Sequence, residues 1–132
     1  MTSKHIQLAL AAIFLGLGGW CLIEPHSVER LVLRPEYQHL SATSALLLGC
    51  FGAQAVLGGI VIALSQFTPR TFLIFGLVGS LPFFAFNWYF VFVSQIFTQW
   101  MLLDFVGNIG ILTCGLLGYR LRRREENERR LA

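Results

Sequence analysis

Apolar residues fall in four long blocks, Ile6–Ile23, Ser41–Leu64, Thr71–Val93 and Trp100–Tyr119, with polar and charged residues gathered between and after them. At about 1.5 Å per helical residue, each block is long enough to cross a hydrocarbon core about 30 Å thick. The pattern predicts an all-α integral membrane protein: one four-helix bundle over residues 1–132, with spans at roughly 6–23, 41–64, 71–93 and 100–121 and a charged tail at 122–132. Composition agrees, since 55% apolar residues and a mean hydropathy of +0.65 exclude a soluble globular domain. Lys4 followed by an apolar run has the outline of a signal peptide, but the run is longer than a signal sequence needs and reads as the first span.

Charge sets the expected orientation. Lys4, Arg70, Arg120, Arg122, Arg123, Arg124, Arg129 and Arg130 fall on one side of the four spans; Arg30 and Arg34 fall on the other, in a first loop that also carries Glu24, Glu29 and Glu36. The positive-inside rule then places both termini in the cytoplasm. Trp20, Tyr37, Trp88, Tyr89 and Trp100 cluster near the expected outer boundary and Tyr119 near the inner one, as interfacial belts do. Basic residues confined to helix ends do not make a nucleic-acid surface. The arginines of the tail are placed to meet anionic lipid, although a solvated, topology-setting helix end explains them too. In the first loop, Pro25 ends span 1, and residues 27–33 predict a short outer interfacial helix with Val28, Leu31 and Val32 against lipid, closed by Pro35.

Small residues recur at four-residue spacing, which lets membrane helices approach closely. The rows are Ala12 and Gly16 in span 1; Ala45, Gly49 and Ala53, then Ala55, Gly59 and Ala63 in span 2; and Gly110, Cys114 and Gly118 in span 4. Two rows on span 2 suggest a central helix or a face for another chain, so a protein partner or a homo-oligomer is expected. Span 3 is bulky with Phe, Trp and Tyr, and Pro82 should kink it, freeing a carbonyl near Val78. Its aromatic surface either faces lipid or receives a partner helix, pigment, quinone or sterol.

Candidate chemistry is sparse. Asp104 lies about one turn inside span 4, Asn108 follows at i+4 on the same face, and the antiparallel span 3 brings Asn87 to a similar depth. Gln54, near mid-span 2, is level with Asn108. If these faces converge, Asp104, Asn87, Asn108 and Gln54 form a polar ladder, with Glu24 and His26 at its mouth. An ionisable group inside a membrane is a functional candidate; interhelical hydrogen bonding, or capping of span 4, explains Asp104 as well. Cys21, Cys50 and Cys114 lie in three different spans without a Cys-x-x-Cys, so redox and zinc chemistry are not expected. His5, His26 and His39 lie outside the apolar cores, which leaves no mid-span axial ligand; His26, His39 and Glu36 have no metal-site spacing.

Gly18-Gly19-Trp20-Cys21-Leu22-Ile23-Glu24-Pro25, the glycine-rich Gly49-Cys50-Phe51-Gly52-Ala53-Gln54 and the four-span plan resemble the DoxX-like group of small bacterial membrane proteins. The resemblance covers the layout of the chain and implies a bacterial inner membrane; some members of that mixed group are accessory subunits of redox or receptor assemblies. No catalytic residue carries over, and the charged residue often seen early in span 1 of such proteins is missing here. The first functional expectation is therefore a non-enzymatic accessory subunit packed against a larger membrane complex. The alternative is a binder or carrier of a small lipophilic ligand (lipid, quinone, sterol-like molecule or pigment) in a pocket around Asp104.

Overall fold

A computed structural model describes residues 2–131. The described residues are mostly helical, and four helical stretches, Ser3–Ile23, Ala42–Leu64, Pro69–Val93 and Gln99–Leu131, are long and apolar enough to cross a membrane. In chain order, α1 is Ser3–Ile23, α2 Pro25–Val32, α3 Ala42–Leu64, α4 Pro69–Val78, α5 Leu81–Trp88 and α6 Leu102–Leu131. Short 3₁₀ turns lie at Pro35–Tyr37 and Gln99–Met101, and α5 runs into a π-helical turn at Tyr89–Val93. The helix of the fourth block continues through the charged segment to Leu131.

Local chemistry sets these boundaries. Glu24 caps α1, and Pro25 opens α2 at a position where a missing amide hydrogen costs nothing. Ser41 caps α3 by accepting from the Ser44 amide, and Thr68 caps α4 by accepting from that of Thr71. The third block breaks rather than kinks. Pro82 sits in the first turn of α5, and the break falls at Gly79–Ser80. The carbonyl that takes a side-chain donor there is that of Gly76, not that of Val78: buried Ser80 donates its Oγ–H to it. A hydroxyl thus replaces a helical amide at the point where the ladder is cut.

The helices form an open row. α3 packs on α1, α1 packs on α6, and α6 packs on α4, while α3 and α4 make no extended contact. Glycine allows the close approaches. A Cβ on Gly52 would lie 2.6 Å from the Gly18 carbonyl oxygen, and one on Gly76 would lie 2.8 Å from the Gly115 Cα. The row Ala55, Gly59 and Ala63 does face α1, since a Cβ on Gly59 would meet Leu15 at 2.8 Å and the Ala11 carbonyl at 3.1 Å. Gly110 faces Ile13 of α1, and Gly118 lies under the Phe72 ring. Gly49 and Gly16, by contrast, have open space where a Cβ would stand, and Ala12 and Ala53 are exposed. At these four positions no close helix approach occurs among the described residues.

At the end holding the termini, Lys4 and Gln7 of α1 donate to the Ala63, Ile62 and Ser65 carbonyls, satisfying the C-terminal end of α3. Phe67, Phe72, Phe75 and Phe14 stack edge-on or tilted above them, with ring centroids 5.0–5.9 Å apart. At the opposite end, the stretch after α2 is stitched to the stretch before α6: the Arg34 amide donates to the Ile96 carbonyl, and the Thr98 amide and hydroxyl donate to the Val32 and Leu31 carbonyls. This docking corrects the expectation for α2. Val28 is buried against the protein rather than turned to lipid, and so is Glu29, whose Oε1 accepts from the His39 amide while Oε2 has no partner among the described residues.

Candidate functional site

The open side of the row encloses a cavity of about 440 Å³ between α3 and α4, with α1 and α6 as its floor. Phe14 and Leu17 of α1, Phe51 of α3 and Phe75 of α4 make its walls apolar, and Gly79 and Phe83 flank it on either side of the α4–α5 break. Phe14 and Phe75 meet edge to face with centroids 5.9 Å apart. Asp104 and Asn108 bring polar groups to this lining from α6.

The polar cluster is tightly arranged. Asn87, 1% exposed on α5, donates its Nδ2–H to Asp104 Oδ2 at 2.8 Å. Asn108, 3% exposed and one turn along α6, donates Nδ2–H to the same Oδ2 at 2.7 Å and to the Asp104 carbonyl at 2.8 Å. One carboxylate oxygen therefore carries both amide bonds. The other, Oδ1, takes no hydrogen bond within the chain among the described residues. Asn87 Oδ1 is likewise a buried acceptor without a donor. Two free acceptors on buried or cavity-lining side chains would be costly unless a donor meets them, because an unpaired polar group out of water loses about 1–3 kcal/mol.

The expected ladder is thus half assembled. Asp104, Asn87 and Asn108 converge, but Asn108 turns to Asp104 rather than to Gln54. Gln54 is exposed on the far side of α3 and takes no part. Glu24 is also exposed: its carbonyl accepts from the Ser27 hydroxyl as α2 begins, and its side chain does not line the cavity. His26, His39 and Glu36 are exposed, and no group of three His, Cys, Asp or Glu side chains suited to a metal ion occurs among the described residues. Sequence reasoning missed buried Glu29 and Gln7. An amphipathic stretch at 27–33 was visible, but not that its packed side would face protein.

Two further cavities lie where the termini meet, one of about 360 Å³ beside Lys4, Gln7, Arg122 and Arg129. There Glu125 accepts from the Ser3 amide at 2.8 Å and the Ser3 hydroxyl at 2.7 Å, and Arg122 approaches it at 3.5 Å. The bonds from Ser3, then the neighbouring guanidinium, hold the Glu125 carboxyl below its ordinary 4.5.

No family model, no curated protein and no solved structure matches this chain.

Proposed function

We propose that the chain is an integral membrane protein that binds or carries a small lipophilic molecule in the cleft between α3 and α4, the polar end of that molecule meeting Asp104. The observation that carries this reading is the cavity itself: about 440 Å³, apolar-walled, with one carboxylate held on its wall by two buried amides. Ligand sites typically have about 300–1,000 Å³, mostly apolar walls and a few placed polar groups. The ligand class is a lipid, quinone, sterol-like molecule or pigment. A hydroxyl or amine on one end would supply the hydrogen that Asp104 Oδ1 lacks. With α3 and α4 apart, such a molecule would enter sideways from the bilayer. The distribution of arginine supports both termini in the cytoplasm, which puts the cleft in the outer half of the membrane. The resemblance of the four-span layout to that of the DoxX-like group favours a bacterial inner membrane.

The test is extraction of the purified chain in mild detergent and mass spectrometry of the small molecules it retains. One lipophilic species near one per chain is expected, lost in Ile74→Trp, which fills the exposed mouth of the cleft. Asp104→Asn separates the site from its scaffold. The Asn carbonyl can accept from Asn87 and Asn108 as Oδ2 does, while its NH₂ turns the free acceptor into a donor. Binding should fall and the fold should hold. A chain that retains only bulk membrane lipid, unchanged by either substitution, would sink the reading.

A further inference from the structure

The face of α3 turned away from α1 carries Gln54, the thirteenth of the helix's 23 residues and so near mid-membrane in the proposed arrangement. Gly52 and Gly59 fix the direction of α1, and at 3.6 residues per turn Gln54 lies nearly opposite them. It is exposed, and no hydrogen bond to its amide occurs within the chain among the described residues. Asn87, Asn108 and Gln7, the other side-chain amides inside the four apolar blocks, are all buried and bonded. The hydroxyl of a lipid-facing Thr or Ser can bond to its own helix; a Gln amide, with two donors and an acceptor, cannot satisfy itself so. Leaving it in hydrocarbon costs several kcal/mol. Leu47, Leu57 and Val61 share this exposed face, and Cys50 lies one turn before Gln54.

We propose that this α3 face is the interface of a two-fold homodimer in which Gln54 of one copy hydrogen-bonds Gln54 of the other. The amide is its own complement: each carbonyl accepts from the opposite NH₂, so a two-fold pairing gives each side chain one accepted and one donated bond at once. Copies inserted with the same orientation present α3 in parallel, which brings the two Gln54 residues to one depth. The proposal rests on the membrane placement above but not on the ligand: the paired face lies on the outside of α3, and the cleft lies on its flank.

Cys50 makes the test direct. In native membranes, with Cys21 and Cys114 replaced by Ser, a short bis-maleimide should link Cys50 to Cys50 and give a covalent dimer of the chain alone. Gln54→Leu should weaken the dimerisation constant roughly tenfold, the scale of an interhelical amide bond in lipid. Gln54→Asn, which keeps the amide, should retain much of it. Gln54→Leu replaces a polar group facing lipid with an apolar one, so loss of the dimer would not signal misfolding; an unchanged helical circular-dichroism spectrum in detergent would confirm the fold independently. No Cys50 dimer, or a dimer insensitive to Gln54→Leu, would overturn the proposal. A Cys50 adduct with a different protein would overturn it in favour of a heterologous subunit on this face.

Discussion

Asp104 is the residue whose environment makes the sharpest demand. Asn87 is buried and has Asp104 Oδ2 as its donor's target, so removing the carboxylate leaves the amide unpaired, whereas Asn108 keeps its bond to the Asp104 carbonyl. Asp104→Leu should therefore destabilise the protein by about 1–3 kcal/mol, the cost of one orphaned buried donor, while Asp104→Asn should stay within about 0.5 kcal/mol. Thermal unfolding in detergent distinguishes them; equal loss in both would mean that the negative charge, not the hydrogen bonds, holds the cluster. This trio was legible in the sequence because two of its members share an i,i+4 helix face and the third is fixed in depth by the antiparallel return. Gln54 was misplaced because depth is readable from position along a helix but azimuth is not. Which side of α3 meets α1 is decided by Gly52 and Gly59, and only packing reveals it.

Between elements, spacing found some contacts and missed the tightest. A Cβ at Gly59, Gly110 or Gly118 would meet a neighbouring helix, while Gly49 has open space there and Ala53 is exposed. The closest crossings use Gly18 with Gly52 and Gly76 with Gly115, pairs split between helices and so invisible to a search for repeats within one. Gly52→Ala would place a methyl 2.6 Å from the Gly18 carbonyl oxygen, where backbone on both sides must move. It should cost about 1–3 kcal/mol, as overpacking does. Gly49→Ala, entering open space, should be neutral or slightly stabilising through its better helix propensity. Melting temperatures of the two variants check this, and similar values for both would mean that α1 and α3 are not held at this crossing. The broken third helix was half legible: Pro82 announced a disruption, but the site of the break depends on Ser80 reaching the Gly76 carbonyl, a local bond that proline position alone does not specify.

Across the whole molecule, an open row of helices needs a clasp at each end, since α3 and α4 do not hold each other. Backbone bonds between the α2–α3 and α5–α6 connections close one end. At the other, Glu125 of the α6 extension takes the amide and hydroxyl of Ser3, placing a carboxylate on the N-terminal end of α1, where the helix dipole also favours an anion. Because these bonds hold its folded value below the ordinary 4.5, the carboxylate's contribution is fully present above that value and is lost as the pH falls through the folded one. Docking of the α6 extension on α1 should thus be constant from neutral pH down to the ordinary 4.5 and weaken as the pH falls further. Amide exchange at residues 3–7, corrected for intrinsic rates, reads it directly. Glu125→Gln can still accept one bond from Ser3 but has no charge to lose, so it should be less protected at pH 7 and flat with acidification. A wild-type profile as flat as that of the variant would show that the Glu125 carboxylate does not hold the α6 extension on α1.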